Sequence, residues 1–218
     1  MRAKKREEPA QNASFNPEAS RLFKQFKKPH DVQLFLNSIK YKSESGTISP
    51  GEVVRRREAN CFEGALFAAA ALRLLGHRPV IVDMIAVNDD DHVIAVFRQN
   101  GLYGAVAKSN TTLLRFREPV YRTLRELVMS YFDFYCNVLG QKTLRSYSNP
   151  VDLSRFDTRN WMTTTGNLDY IGDYLNVVKH HEVLPVRYRR VLSRVENDLI
   201  AVCFSGSIDE GLFKPRGQ

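Results

Sequence analysis

The chain has 218 residues, of which 43% are apolar and 26% are charged, values typical of a globular protein with one hydrophobic core. A chain of this length buries roughly 70% of the surface that it exposes when unfolded, so it does not depend on disulfides for stability. Its three cysteines, Cys61, Cys136 and Cys203, are too few for a secreted disulfide framework and match no zinc-binding spacing. Composition therefore favours one domain in a reducing compartment.

The N-terminal segment carries much of the positive charge. The net charge is +8, and residues 1–30 contain eight Lys or Arg against three Glu, a surplus of five. Residues 1–17 are polar and lack periodicity, which predicts a disordered basic tail ahead of one domain over residues 18–218. Nucleic-acid binding by this tail is disfavoured, because no recognised motif or interleaved aromatic residues accompany it.

The same segment bears on location. The first eight residues are charged where a signal peptide would need an apolar core, and no apolar run approaches the ~20 residues that span a bilayer. We therefore expect a cytoplasmic protein without membrane contact.

The first predicted elements are helices. Apolar residues at helical spacing predict two short helices separated by a break at Pro29, followed by a loop over residues 46–51. Residues 61–75 are dominated by Ala and Leu, which predicts a buried helix. Asn60 and Glu63 form a capping box at its start, and Gly76 marks its end. Cys61 is therefore expected at the first helical position.

Three strands are predicted next, over residues 80–87, 93–98 with His92 just before, and 102–107, and the Asn100-Gly101 pair predicts a tight hairpin between the last two. Residues 120–135 have the pattern of an amphipathic helix, residues 142–170 are loop-like, and residues 171–178 favour a helix. Residues 199–204 resemble a final strand. The predicted fold class is α+β, with the cysteine-bearing helix packed on an antiparallel β-sheet.

Cys61 is the candidate nucleophile. A thiol attacks acyl carbon as a thiolate, and the positive end of a helix favours that anion while its free N–H groups can hold an oxyanion. The alternative interpretation is a small apolar residue packed in a helix, which is the usual role of a free cysteine.

His92 is the candidate base, because it opens a strand after an acidic turn and can reach a surface cleft. A two-residue loop at Asn100-Gly101 places Ser109 opposite His92, and a loop longer by one residue places Asn110 there. Either side chain can orient an imidazole.

The run from Asn60 to Ala65, the Ala-rich helix that ends in residues 72–76, and His92 at the start of a strand-turn-strand resemble the transglutaminase-like superfamily. The resemblance covers about residues 32–110 and implies a transglutaminase/papain-like core over about residues 32–135, with residues 136–218 as an extension. It implies that Cys61 is the nucleophile and His92 its partner, acting on a peptide or protein amide without a metal or cofactor. The family usually has an Asp on the next strand, where this chain has Ala107, Lys108, Ser109 and Asn110; Asn110 would give a papain-like Cys-His-Asn set, and Ser109 a weaker one.

Two functions follow from these residues. The first is cysteine-dependent acyl transfer, as a peptidase, amidase or amide-crosslinking enzyme. The second is a binding or scaffolding module that retains the fold without catalysis. Three other features favour structural roles: Asp89–Asp91 as a solvated turn, His180-His181 as a helix-end pair, and Trp161 as a core residue, with cleft coverage as its alternative.

Overall fold

The computed structural model describes residues 15–43 and 46–216. The helices in chain order are α1 (Pro17–Gln25), α2 (Pro29–Ser38), α3 (Pro50–Arg56), α4 (Cys61–Leu74), α5 (Leu124–Met129), α6 (Asp169–Val177) and α7 (Asn197–Cys203). The strands are β1 (Lys40–Tyr41), β2 (Glu58–Ala59), β3 (Val80–Ala86), β4 (His92–Gln99), β5 (Leu102–Val106), β6 (Arg117–Tyr121), β7 (Leu144–Ser148), β8 (Val151–Asp152) and β9 (His180–Glu182).

The main sheet is antiparallel throughout and has the strand order β6-β5-β4-β3-β7-β9, with β8 paired to one end of β3. Strands β3 and β4 are apolar on both faces, so each face must be covered. Helices α1–α4 and α6 cover one face, while α5 and the turns that follow it cover the other. The fold is therefore mixed α and β around a mostly antiparallel sheet, and β1 and β2 form a small parallel pair beside it.

The cysteine-bearing helix lies against the sheet at close range. A Cβ placed on Gly64 would lie 2.2 Å from the Cβ of Lys108, so only glycine permits this approach. The residues of α4 from Glu63 to Leu72 are buried. The helix ends at Leu74, and a φ of +90° at Gly76 allows the His77 N–H to bond the Leu72 carbonyl at 2.9 Å.

Most predicted elements of the first half are confirmed. The two helices broken at Pro29, the buried helix from Cys61 and the three following strands are all present. The hairpin has positive φ at both Asn100 and Gly101, and Gln99 pairs with Leu102 as expected for a two-residue loop. The helix predicted over residues 171–178 is α6.

Several predictions were wrong. Residues 199–204 belong to helix α7, because their apolar side chains pack one turn apart against Cys136. Residues 120–135 contain the end of β6, the short α5 and a series of turns in place of one long helix. Residues 142–170 hold β7, β8 and a 3₁₀ segment, and Pro50 begins α3 within the expected loop. The His180-His181 pair lies on strand β9.

The N-terminal boundary also needs correction. Phe15, inside the segment expected to be disordered, packs on Phe23 with ring centroids 4.7 Å apart. Asn16 caps α1 by accepting a hydrogen bond from the Ala19 N–H at 2.8 Å, and the helix begins at Pro17. Ordered structure thus starts before residue 18, while residues 1–14 of the predicted tail lie outside the described residues.

Candidate active site

Cys61 occupies the first position of α4, as the sequence predicted. Asn60 accepts from the Glu63 N–H at 2.9 Å, and Glu63 accepts from the Asn60 N–H at 2.9 Å, which completes the capping box. The Gly64 N–H bonds the Asn60 carbonyl. The N–H groups of Cys61 and Phe62 have no acceptor within the helix, and the Phe62 N–H lies on the Cys61 sulfur.

A buried ion pair supports this helix start. Lys42 donates to Glu63 Oε1 at 2.6 Å, and the Ile48 N–H donates to the same oxygen at 3.0 Å. Both charged side chains are almost completely buried. Glu63 thus connects the start of α4 to Lys42 and Ile48. These bonds fix the position of Cys61, the first residue of that helix.

The Cys61 thiol rests on the backbone at the start of β4. Its Sγ donates to the Asp91 carbonyl at 3.8 Å, and the residue is half-buried. Burial raises the pKa of Cys61 to about 11; the Val93 N–H opposes this effect, and the charge of Asp90 adds to it. The thiol is therefore protonated at neutral pH in this structure.

His92 is buried, and its ring lies on the face of the sheet opposite to α4. The neighbours of His92 along β4 show the two faces of the sheet: Val93 packs in the core that contains α4, and Ile94 in the opposite core. The His92 ring lies on the same side as Ile94, 6.5 Å from the Tyr135 ring. Its Nε2 donates to the Leu114 carbonyl at 2.9 Å. Because a carbonyl can only accept, this bond assigns the proton to Nε2.

The protonation state of His92 follows from that environment. Burial lowers the pKa of His92 to about 4; the hydrogen bond to Leu114 opposes the shift, and the charge of Arg117 adds to it. The imidazole is therefore neutral at neutral pH. The described structure contains a neutral thiol and a neutral imidazole that are not hydrogen-bonded to each other.

The two candidates for the third residue have other partners. Ser109 Oγ accepts from the Thr111 N–H at 3.0 Å, within its own turn. The Asn110 side chain donates to the Ile208 carbonyl and accepts from the Ile208 N–H, both at 2.9 Å. Neither is placed to orient His92 in this structure.

Lys108 is removed from the site altogether. Its ammonium donates to the Leu36 and Ile39 carbonyls at 2.8 and 2.6 Å, at the C-terminal end of α2. Burial lowers its pKa to about 8. Lys108 therefore caps the C-terminal end of α2, where the negative end of the helix dipole favours a positive charge.

A cavity of about 40 Å³ connects the candidate residues at this end of the sheet. Cys61 and His92 both line it, together with Ser109 and Asn110. The C-terminal residues Gly211, Leu212 and Phe213 form another part of its wall. The structure thus brings the four predicted residues around one space, and the segment after α7 lines the same space.

The acidic turn beside Cys61 is exposed at Asp90 and Asp91, as expected of a solvated turn, and Asp89 is half-buried. Asp89 accepts from the Thr143 hydroxyl at 2.6 Å, and Asp91 accepts from the Ala86 N–H at 2.7 Å. Burial raises the pKa of Asp89 to about 6. No cluster of three or more metal-ligating side chains occurs in the described parts of the chain.

Sequence reasoning missed three groups at the site. Tyr41 lines the cavity next to Cys61, and burial raises the pKa of its phenol. Tyr135 packs on His92 and donates from its hydroxyl to the Asp90 carbonyl at 2.8 Å. The third group is the chain after α7, residues 205–216. Only Tyr135 carried a signal, as an aromatic residue within the helix predicted over residues 120–135. Trp161, by contrast, is a core residue, as predicted.

No protein-family model matches this chain, and a search of curated proteins finds no significant match. Among residues 15–43 and 46–216, no helix is both long and apolar enough to cross a membrane.

Proposed function

We propose that this protein is a cysteine-dependent acyl-transfer enzyme of the transglutaminase-like type, acting on a peptide or protein amide. The observation that carries the proposal is the position of Cys61 at the start of a buried helix, in a cavity that His92 also lines. A helix start and a neighbouring imidazole are two of the means by which proteins activate a thiol.

In the proposed reaction His92 takes the thiol proton, and the Cys61 sulfur attacks the amide carbonyl carbon. The N–H groups of Cys61 and Phe62 hold the oxyanion. The C–N bond then breaks, and His92 returns the proton to the leaving amine, which leaves a thioester on Cys61. Water or a second amine attacks the thioester and releases the thiol, so the enzyme is regenerated.

The described structure is a resting state on this proposal. His92 must release the Leu114 carbonyl and turn toward the thiol before proton transfer can occur. Asn110 becomes available to orient the imidazole only after its side chain parts from Ile208. Both changes occur around the same cavity.

A second candidate function is a binding module without catalysis. The observation in its favour is that burial keeps both the thiol and the imidazole neutral in the described structure. Such a module would use the cavity for binding and would form no covalent intermediate.

Turnover of an activated acyl donor tests the proposal. The full chain is incubated with p-nitrophenyl acetate at about pH 8, and p-nitrophenolate release is followed while mass spectrometry locates any acetyl group. We expect release beyond the stoichiometric amount, faster with an added primary amine, and abolished in Cys61→Ser. Cys203→Ser is the matched control, because it removes a buried thiol outside the cavity.

Acetylation of Cys61 that stops at one equivalent, in the wild-type chain and in the open variants described below, would contradict catalysis. That result would support the binding module. His92→Gln adds a second check, because it should slow turnover without preventing direct alkylation of the thiol.

A further inference from the structure

The chain after α7 lines the Cys61 cavity. Residues 205–216, here called the C-terminal strap, contribute Gly211, Leu212 and Phe213 to the cavity that holds Cys61 and His92. The same three residues also line the adjoining groove on the other side of Cys61. The strap therefore borders the thiol from two directions.

Hydrogen bonds attach the strap mainly through its backbone. Asn110 binds the N–H and carbonyl of Ile208 together, in the manner of a paired strand. The Thr112 hydroxyl donates to the Ser205 carbonyl at 2.6 Å, and the Arg216 N–H donates to Asn88 Oδ1 at 2.9 Å. Between these anchors Asp209–Gly211 form a 3₁₀ turn, in which the Gly211 N–H bonds the Ile208 carbonyl at 3.1 Å. Recognition of backbone groups is independent of side-chain identity, so the same donors and acceptors fit another peptide that adopts this turn.

Gly211 is the point of closest approach. A Cβ on Gly211 would lie 2.9 Å from the Tyr41 ring and 3.0 Å from Asn110 Nδ2. Its φ is not positive, so the neighbouring side chains, and not backbone strain, account for the need for glycine here. The strap thus passes between Tyr41 and Asn110 in a space that fits only a residue without a side chain.

The groove carries charges of both signs. Lys214 and Glu210 of the strap line the same groove as Asp90 and Asp91, which border Cys61, so charge alone does not hold the strap there. At the same time no residue of the strap is fully buried, whereas Cys203 just before it is completely buried. A segment with exposed hydrogen bonds and little buried apolar surface opens more readily than the core to which it is attached.

We propose that the strap is an intramolecular occupant of the substrate groove, which keeps Cys61 closed and lies where a peptide with a small residue beside Tyr41 binds. The identification of that peptide as a substrate rests on the proposed function, whereas the closure by the strap does not. Release of the strap frees the Asn110 amide and opens the cavity in a single step.

The rate of Cys61 alkylation by iodoacetamide, located by mass spectrometry, tests the closure in the full chain. Gly211→Val should increase this rate at least about tenfold, because overpacking of that kind shifts an opening equilibrium by such a factor. Gly166→Val is the matched control, since a Cβ there meets only Thr164 Oγ1 at 3.4 Å, and its rate should equal that of the wild type. Equal rates in wild type and Gly211→Val would overturn the closure.

Asn110→Ala provides an independent variant if Gly211→Val does not fold. It removes both hydrogen bonds to Ile208 and should likewise accelerate alkylation. Thermal unfolding of each variant shows whether faster labelling arises from local opening or from global instability.

A synthetic peptide with the sequence of residues 205–216 tests the substrate groove. Added at millimolar concentration to Gly211→Val, it should slow alkylation again, and a scrambled peptide should not. No protection by the peptide would overturn the placement of a substrate in this groove. Faster alkylation in Gly211→Val without acyl turnover would leave the strap intact and would contradict only the proposed function.

Discussion

Replacement of His92 by glutamine should change how stability depends on pH. The pKa of His92 is about 4 in the folded protein, because the ring is buried, against an ordinary value of 6.5. The folded state therefore binds fewer protons than the unfolded state between these values, so the stability that neutral His92 provides is complete above pH 6.5 and is lost as pH falls toward 4. At about 1.4 kcal/mol per pH unit, the loss amounts to about 3 kcal/mol at pH 4.

Glutamine isolates this effect, because its amide can donate to the Leu114 carbonyl as Nε2 does but cannot be protonated. Between about pH 7 and pH 4, the free energy of unfolding of the wild type should therefore fall about 3 kcal/mol more than that of His92→Gln. Asp83 and Asp89, whose pKa values burial raises to about 6, act in the opposite direction, but they are present in both proteins and cancel.

Urea unfolding followed by the fluorescence of Trp161, the one tryptophan of the chain and a buried residue, measures these energies. His30→Gln controls for the loss of an imidazole that packs on an aromatic ring, here Phe116 at 5.1 Å. A difference in the free energy of unfolding between wild type and His92→Gln that stays constant with pH would refute the neutral, buried state of His92. A gap that moves in the opposite direction would mean that His92 is stabilised as a cation, as in a thiolate–imidazolium pair.

Two further predictions concern the support of the helix start. Gly64→Ala should lower the free energy of unfolding by about 1–3 kcal/mol, since the new methyl group meets Lys108. Gly166→Ala, its control, should change that free energy little. Urea unfolding compares the two variants, and equal effects would contradict the close approach of α4 to Lys108. Lys42→Met should lower the free energy of unfolding by about 3–5 kcal/mol, because it leaves the Glu63 carboxylate buried without its cation. The double variant Lys42→Met/Glu63→Gln should recover part of that loss, and a double variant no more stable than the single one would show that the charge is not the cause.

The elements around Cys61 were predictable because their signals are local. The Asn60–Glu63 capping box and Gly76 lie within the helix or next to it, and the Asn100-Gly101 turn determines which residues of β4 and β5 are opposite each other. Each of these patterns is confirmed by a contact between residues close in sequence. The prediction that Cys61, His92, Ser109 and Asn110 lie around one site follows from these same local signals.

The orientations of the site residues were not predictable in this way. Strand register places His92 near Ser109, yet its ring bonds the Leu114 carbonyl, which lies in a turn beyond the paired strand. Asn110 bonds Ile208, nearly a hundred residues later in the chain. Such partners depend on how distant segments pack, and neither periodicity nor turn chemistry contains that information.

The elements of the second half were harder for a related reason. Short apolar runs such as residues 199–204 fit a strand and a buried helix equally well, and only the packing against Cys136 decides between them. Strand β7 is polar in composition, but it is stabilised by pairing with β3 and by the Ser148 hydroxyl, which accepts from the Asp83 N–H at 2.9 Å. Tertiary contacts there override weak local preferences.

The hairpin turn at Asn100-Gly101 lies at the far end of β4 from His92. The eight residues of β4 at about 3.3 Å each separate the two by about 26 Å. A Cβ on Gly101 would meet no atom within 4 Å, so the turn faces open space. Asn100 and Gly101 both have positive φ, so neither residue should be replaced. A fluorophore or an immobilisation tag is better attached to the adjoining residue Gln99, which is exposed. From there a reporter can follow the whole molecule without touching the cavity.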